Sequence, residues 1–140
     1  AYNSSIYISV NTLEFLKKGG RITPAAAMIG TMLNIKPILT IQGEKLDSFQ
    51  KTRTMIKARQ IMIDATMKDL KDRIDPENED FANTRLMVAY TYDKEQALEF
   101  KKQVEEAFPG HEIMCDPLSL SVACHIGPHS LALAACKKIL

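Results

Sequence analysis

Three basic positions in this chain stand beside turn and helix-start signals, where a fixed charge and free backbone amides can hold an anion. The first is Arg21. Lys17 and Lys18 precede Gly19-Gly20, Arg21 follows, and Thr23-Pro24 comes next. Two glycines end one helix and a Thr-Pro pair opens another, so Arg21 occupies a very short joint. The start of the second helix offers unpaired N–H groups, and a guanidinium fork beside it suits a carboxylate or phosphate. The structural alternative is that Lys17, Lys18 and Arg21 complement the negative end of the first helix. The second position is Arg53, between a strand and a long helix, with Lys51, Thr52 and Thr54 around it. A solvated arginine at a strand end is the alternative there. The third is His125. In the run LSLSVACH, alternation puts Leu118, Leu120, Val122 and Cys124 on one side of a strand and Ser119, Ser121, Ala123 and His125 on the other. A histidine closing that semi-polar face, just before Gly127-Pro128, can donate a hydrogen bond to an anion or act as acid or base. It can equally bond a nearby carbonyl.

Behind the Arg21 joint, residues 25–33 are apolar nearly all round, which predicts a buried helix. Such a helix is either plain core or the wall of a tunnel for an acyl chain. Small residues such as Ala26 leave room and Met28 and Met32 adapt in shape. Ala26, Met28, Ile29, Met32 and Leu33 are the candidate lining. No GxxxxGK[ST], GxGxxG, GxSxG or HExxH motif occurs. Nothing places Ser119 or Ser121 beside a base, and Asp93 and Glu95 are explained as helix-start residues.

The elements that must position these groups follow from periodicity and breakers. A strand is expected at 6–10. Asn11 or Thr12 then caps a short helix to residue 18, with Leu13 and Leu16 inward. Strands 35–42 and 46–51 flank the Gly43-Glu44 turn. A long helix covers 54–72, with Ile56, Ile63, Met67, Leu70 and Ile74 in one stripe. After a polar loop at 75–83 comes a strand at 84–92. Asp93 and Gln96 make a capping-box-like start for a helix to 108, broken by Pro109-Gly110. Strands are expected near 112–115, 118–125 and 130–135. Interleaved strands and helices, with strands clustered at the end, predict an α/β fold: a mixed β-sheet flanked by helices.

The length of 140 residues suits one domain, and 46% hydrophobic with 25% charged residues is ordinary globular composition. A net charge of +1 argues against a dedicated nucleic-acid binder. Cys115, Cys124 and Cys136 form no CxxC pair, and the histidines complete no zinc spacing. Small buried thiols in a reducing, cytoplasmic compartment are expected. No run reaches the roughly 18 apolar residues of an integral membrane segment, and there is no signal peptide. The chain opens AYNSSIYISV without an initiator methionine and enters a strand at once, which suggests a piece of a longer protein.

Four segments, in order, resemble one family. TLEFLKKGGRI at 12–22 looks like its LEYLKKGGRI-type segment, and LNIKPIL at 33–39 matches its LNIKPIL segment. KTRT at 51–54 resembles its KxRT segment, and HIGP at 125–128 its HxGPG turn. The chain is similar over nearly its whole length to the DegV family of bacterial fatty-acid-binding proteins. The resemblance implies the C-terminal, lipid-binding domain of a two-domain protein, occupying residues 1–140, with the N-terminal domain absent. That other domain carries a hydroxyl-bearing motif which helps hold the carboxylate. A long-chain fatty acid is implied between the domains, its tail largely in this one. The resemblance also implies a non-catalytic protein with no cofactor, which presents the carboxylate to a separate fatty acid kinase subunit. Mapped by motif, His125 hydrogen-bonds the carboxylate. Arg21 and Arg53 lie near the head group and assist phosphoryl transfer or kinase docking. The turn departs from the family pattern at His129, where the family has glycine. A positive φ there would strain a histidine and disturb the aim of His125.

Two other readings compete. An enzyme domain acting on a small phosphorylated or carboxylated metabolite through Arg21, Arg53 and His125 predicts a compact polar cleft. Regulatory DNA binding through the basic turn is the other, and the near-zero net charge weighs against it.

Overall fold

The computed structural model describes residues 3–20, 23–24, 35–42 and 45–138. In chain order these form β1 (Ser4–Ser9), α1 (Glu14–Gly19), β2 (Lys36–Gln42), β3 (Lys45–Thr52) and α2 (Met55–Asp69), which runs into a π-turn at Leu70–Ile74. There follow β4 (Thr84–Tyr90), α3 (Lys94–Ala107), β5 (Met114–Pro117), α4 (Leu120–Ile126) and β6 (Leu131–Lys137).

The six strands make one sheet in the order β3-β2-β1-β6-β4-β5. Every neighbouring pair is antiparallel except β4 with β5, so the expected mixed α/β sheet is what forms. Period-two alternation divides the core in two. On one face, Tyr7, Leu86, Val88, Leu131 and Leu133 pack against Ala58, Met62 and Ile63 of α2 and Phe100 and Val104 of α3. On the other, Ile8, Val10, Leu39, Ala89 and Ala132 pack against Leu13 and Leu16 of the α1 region and Ile126 of α4. The short helices α1 and α4 therefore share one face, opposite the long ones.

Start and stop signals set most of the elements. The Thr54 hydroxyl accepts from the Lys57 amide at 3.2 Å and starts α2. Asp93 accepts from the Gln96 amide at 3.1 Å and starts α3, as expected. The expected helix to residue 72 instead changes pitch. The Asp75 amide donates to the Leu70 carbonyl at 2.9 Å, and the wider turn buries both Leu70 and Ile74. Ile56, expected in the buried stripe, is 74% exposed. It lies in the first turn of α2, outside the packed surface, where Met55 makes the contact inward through a 3.4 Å hydrogen bond from Ser9 to its sulfur.

The larger correction concerns residues 118–125, expected as a strand and found as the connection containing α4. Parallel β4 and β5 end at the same end of the sheet where β6 begins, since Tyr90 is registered with both Pro117 and Leu131. The chain has only two strand spacings to cross, about 10 Å, and eight extended residues would overshoot at about 27 Å. A helical turn takes up the length. The alternating faces assigned to 118–125 therefore do not exist: Leu120 is 81% exposed and Cys124 is exposed. The thiols are likewise not the buried set expected. Cys136 is exposed too, and only Cys115 is partly covered, its thiol pushed up by burial.

Candidate functional site

The register brings several chain segments to one end of the sheet. Ser9 is paired with both Ile38 and Leu131, Lys36 with Thr52, and Tyr90 with Leu131 and Pro117. The segments after β1, β3, β4 and β5 and those before β2 and β6 thus all lie there. This set includes α1, Arg53, Thr91 and the whole of α4.

The start of α1 lies one residue past the expected cap, with Leu13 at the N-cap position and no side-chain cap bond there. Thr12 accepts from the Glu14 amide at 3.2 Å. Gly20 takes the left-handed φ of +64°, and its N–H reaches the Leu16 and Lys17 carbonyls. Lys18 pairs with Glu14 at 3.0 Å on an exposed helix face, so the basic run is of mixed sign there. Thr23 is tied to β3, its amide donating to the Leu46 carbonyl at 3.0 Å and its hydroxyl to Asp47 at 2.5 Å. Arg21 and the candidate lining residues Ala26, Met28, Ile29, Met32 and Leu33 lie outside the described residues.

His125 sits in the last turn of α4, half-buried. Among the described residues its imidazole makes no hydrogen bond and no ion pair. The backbone beneath it is closely specified. Gly127 has φ +82° and ψ 176°, a combination that side chains exclude. A Cβ there would stand 2.6 Å from Cδ2 of Phe15, so α1 and the turn after α4 touch only because residue 127 is glycine. The Thr91 hydroxyl donates to the Gly127 carbonyl at 2.7 Å and accepts from the Ser130 amide at 3.0 Å. The Ser130 hydroxyl in turn reaches the Ile126 and Gly127 carbonyls at 3.4 and 3.3 Å.

His129 does take a positive φ, +59°, as feared from the missing glycine. Histidine tolerates this region better than most residues, and its ring packs edge-on against Tyr92 at 4.8 Å. Its Nδ1 stands 3.9 Å from Asp93, and its amide donates to the Thr91 carbonyl at 3.2 Å. The turn accommodates His129 at this positive φ with these contacts.

Arg53 is exposed between β3 and the Thr54 cap, and among the described residues it has no partner. It shares the sheet end with His125. However, β3 and β6 are three strand spacings apart, about 14 Å, with β2 and β1 between them. The structure brings the two residues to one rim without bringing them together.

Thr91 and Ser130 were not foreseen. Each is a small polar residue with no motif to mark it, Thr91 just after β4 and Ser130 just before β6. A cavity of about 660 Å³ lies elsewhere, at the far end of β4, lined by residues that include Thr84, Arg85, His111, Glu112 and Lys138. It contains neither Arg53 nor His125, so it is not the polar cleft that the enzyme reading requires. Among the described residues no helix is long and apolar enough to cross a membrane, and no group of three or more acidic, histidine or cysteine side chains is placed to hold a metal.

Comparison with known proteins places this geometry. The DegV domain-containing protein YteA of Lactococcus lactis is 32% identical over 125 residues, which is 89% of this chain and 40% of that protein. A solved structure described as a stearic acid-binding protein from Eubacterium ventriosum superimposes with a TM-score of 0.82 at 27% identity, covering 98% of this chain and 45% of that one. A DegV family protein from Thermus thermophilus, described by its fatty acid binding, gives a TM-score of 0.80 at 29% identity over 96% of this chain and 46% of that one. The chain spans less than half the length of each of these relatives. The family described as "Uncharacterised protein, DegV family" matches residues 1–138, and the chain belongs to it.

Proposed function

We propose that this chain binds a long-chain fatty acid as the lipid-binding part of a longer protein. The observation that carries the reading is the likeness, over nearly the whole chain, to two solved proteins described as binding fatty acids. The sheet-end geometry supports it: a half-buried histidine, without a partner among the described residues, stands beside a tightly fastened turn. In this reading His125 donates a hydrogen bond to the carboxylate, and Arg21 and Arg53 supply positive charge near the head group. Ala26, Met28, Ile29, Met32 and Leu33 line the acyl chain. Each buried methylene contributes about 0.8 kcal/mol, so ten of them give roughly 8 kcal/mol before the costs of association. The tail then supplies affinity, and the few polar groups fix orientation. A second domain, on the part of the relatives' length that this chain does not span, completes the head-group site. The chain performs no chemistry itself and hands its carboxylate to a fatty acid kinase subunit.

The test is native extraction of the full-length protein and mass spectrometry of what it carries. A stoichiometric long-chain fatty acid, lost in His125→Ala, is expected. A polar phosphorylated metabolite in its place, with no lipid, would overturn the reading. The kinase link is tested by combining the loaded protein with ATP and a fatty acid kinase subunit, where acyl phosphate is the expected product.

A further inference from the structure

Thr91 spends most of its hydrogen-bonding capacity on one turn. Its amide donates to the Ser130 carbonyl at 3.1 Å, and its carbonyl accepts from the His129 amide at 3.2 Å as well as from the Asp93 amide at 2.8 Å. Its hydroxyl donates to the Gly127 carbonyl at 2.7 Å and accepts from the Ser130 amide at 3.0 Å. The residue is 5% exposed, so water does not compete for these bonds. What they fasten is the C-terminal end of α4. That helix has seven residues, of which Ile126 is the one buried, and it is far too short to hold its shape unaided. The direction in which His125 points relative to the sheet is therefore set at the end of α4, and there by Thr91.

We propose that Thr91 is a positioning residue for head-group binding, acting through the 126–130 turn to aim the His125 imidazole. The inference rests on the reading of His125 as the carboxylate contact. Removing the hydroxyl while keeping the shape, as in Thr91→Val, takes away the shorter of the two hydroxyl donors to the Gly127 carbonyl and, among the described residues, the only side-chain acceptor for the Ser130 amide. Both groups then lose a buried partner, and the turn shifts to find another. A shift of a few tenths of an ångström at the turn is magnified at the imidazole, which stands beyond it.

The test is a double-mutant cycle in the full-length protein, with stearate affinity measured by titration calorimetry and thermal unfolding followed alongside. Thr91→Val is expected to weaken stearate about tenfold when His125 is present and to cause no further loss in the His125→Ala background. Thr91→Ser, which keeps the hydroxyl, restores the affinity. A merely structural role would lower the melting temperature but leave the two residues' effects on affinity additive, and that result overturns the proposal. Should Thr91→Val fail to fold, Ser130→Ala carries the same cycle, since it removes the second hydroxyl that bonds the Gly127 carbonyl. If His125→Ala weakens stearate and neither turn variant does, this inference alone fails. If His125→Ala leaves affinity unchanged, the carboxylate reading fails and takes the inference with it.

Discussion

Gly127→Ala should damage this fold more than an alanine at any other described glycine with positive φ. Two costs add at this position. The backbone conformation, φ +82° with ψ 176°, is nearly closed to side chains and costs about 1–3 kcal/mol. The new Cβ would also stand 2.6 Å from Phe15 Cδ2 and 3.0 Å from Cε2, so the ring must leave. Phe15 is 37% exposed, so it can swing outward, and losing its packing costs about 1 kcal/mol. The sum is about 3 kcal/mol, or roughly 10 °C in melting temperature for a chain of this size. Gly110→Ala is the control. Its φ is +84° but nothing lies within 4 Å of its Cβ position, so only the backbone cost of about 1–2 kcal/mol remains. Thermal and urea unfolding, followed by circular dichroism, report both. Phe15→Ala should be partly compensating in the Gly127→Ala background, because the clashing ring is gone. Equal destabilisation at the two glycines, or strict additivity with Phe15→Ala, would refute the account of the contact between α1 and the turn.

Asp75 is 3% exposed, and although burial raises its pKa, hydrogen bonds from the Asn78 side chain, the Asn83 amide and the Thr84 hydroxyl outweigh that and hold it below its ordinary value. Its stabilisation is complete above pH 3.8 and is lost as pH falls through the lower folded value, so Asp75→Asn should cost about 2 kcal/mol at neutral pH and flatten acid unfolding. Tyr7 behaves oppositely: burial first, then its 2.5 Å hydrogen bond to Asp69, pushes its phenol from 10.0 up to about 12. The stability it adds is full below pH 10 and lost as pH rises toward 12, and Tyr7→Phe should remove that alkaline dependence in unfolding curves taken at several pH values. Thr54→Ala removes the cap on α2 and should lower stability by about 1 kcal/mol in urea unfolding, with Thr54→Ser close to wild type.

The fold class was legible because punctuation marks its elements. Gly20 ends α1, Asp93 starts α3, and Thr54 starts α2 beside Arg53, each where the residue types demand. Strand order was not legible, since nothing local pairs Ser4 with Cys136. Residues 118–125 misled because leucine alternating with serine has the period of a strand, while the actual constraint is the distance from β5 to β6. His125 was singled out as the end of a strand face that does not form and as part of the HIGP run at 125–128, and the reason for its actual placement was not legible. Thr91 lies far away in the chain, and only the antiparallel pairing of β4 with β6 makes it the anchor of the turn. The Ile56 assignment failed for a related reason: phase along a helix says which residues share a side, not how far the sheet beneath them extends.

The place of β1 in the sheet carries a consequence for the order of assembly. β1 is flanked by β2, made soon after it, and by β6, the last of the six described strands to be made. While the polypeptide is being synthesised, β1, β2 and β3 can join early, but the edge of β1 that awaits β6 stays open until nearly all the rest has emerged. β4 waits too, since its antiparallel neighbour is also β6. The last of these strands therefore closes the sheet, since it alone bridges β1 and β4. Contacts between residues so distant in sequence make that step slow. In the interval the nascent chain exposes an unpaired, apolar strand edge of the kind that invites association with other chains.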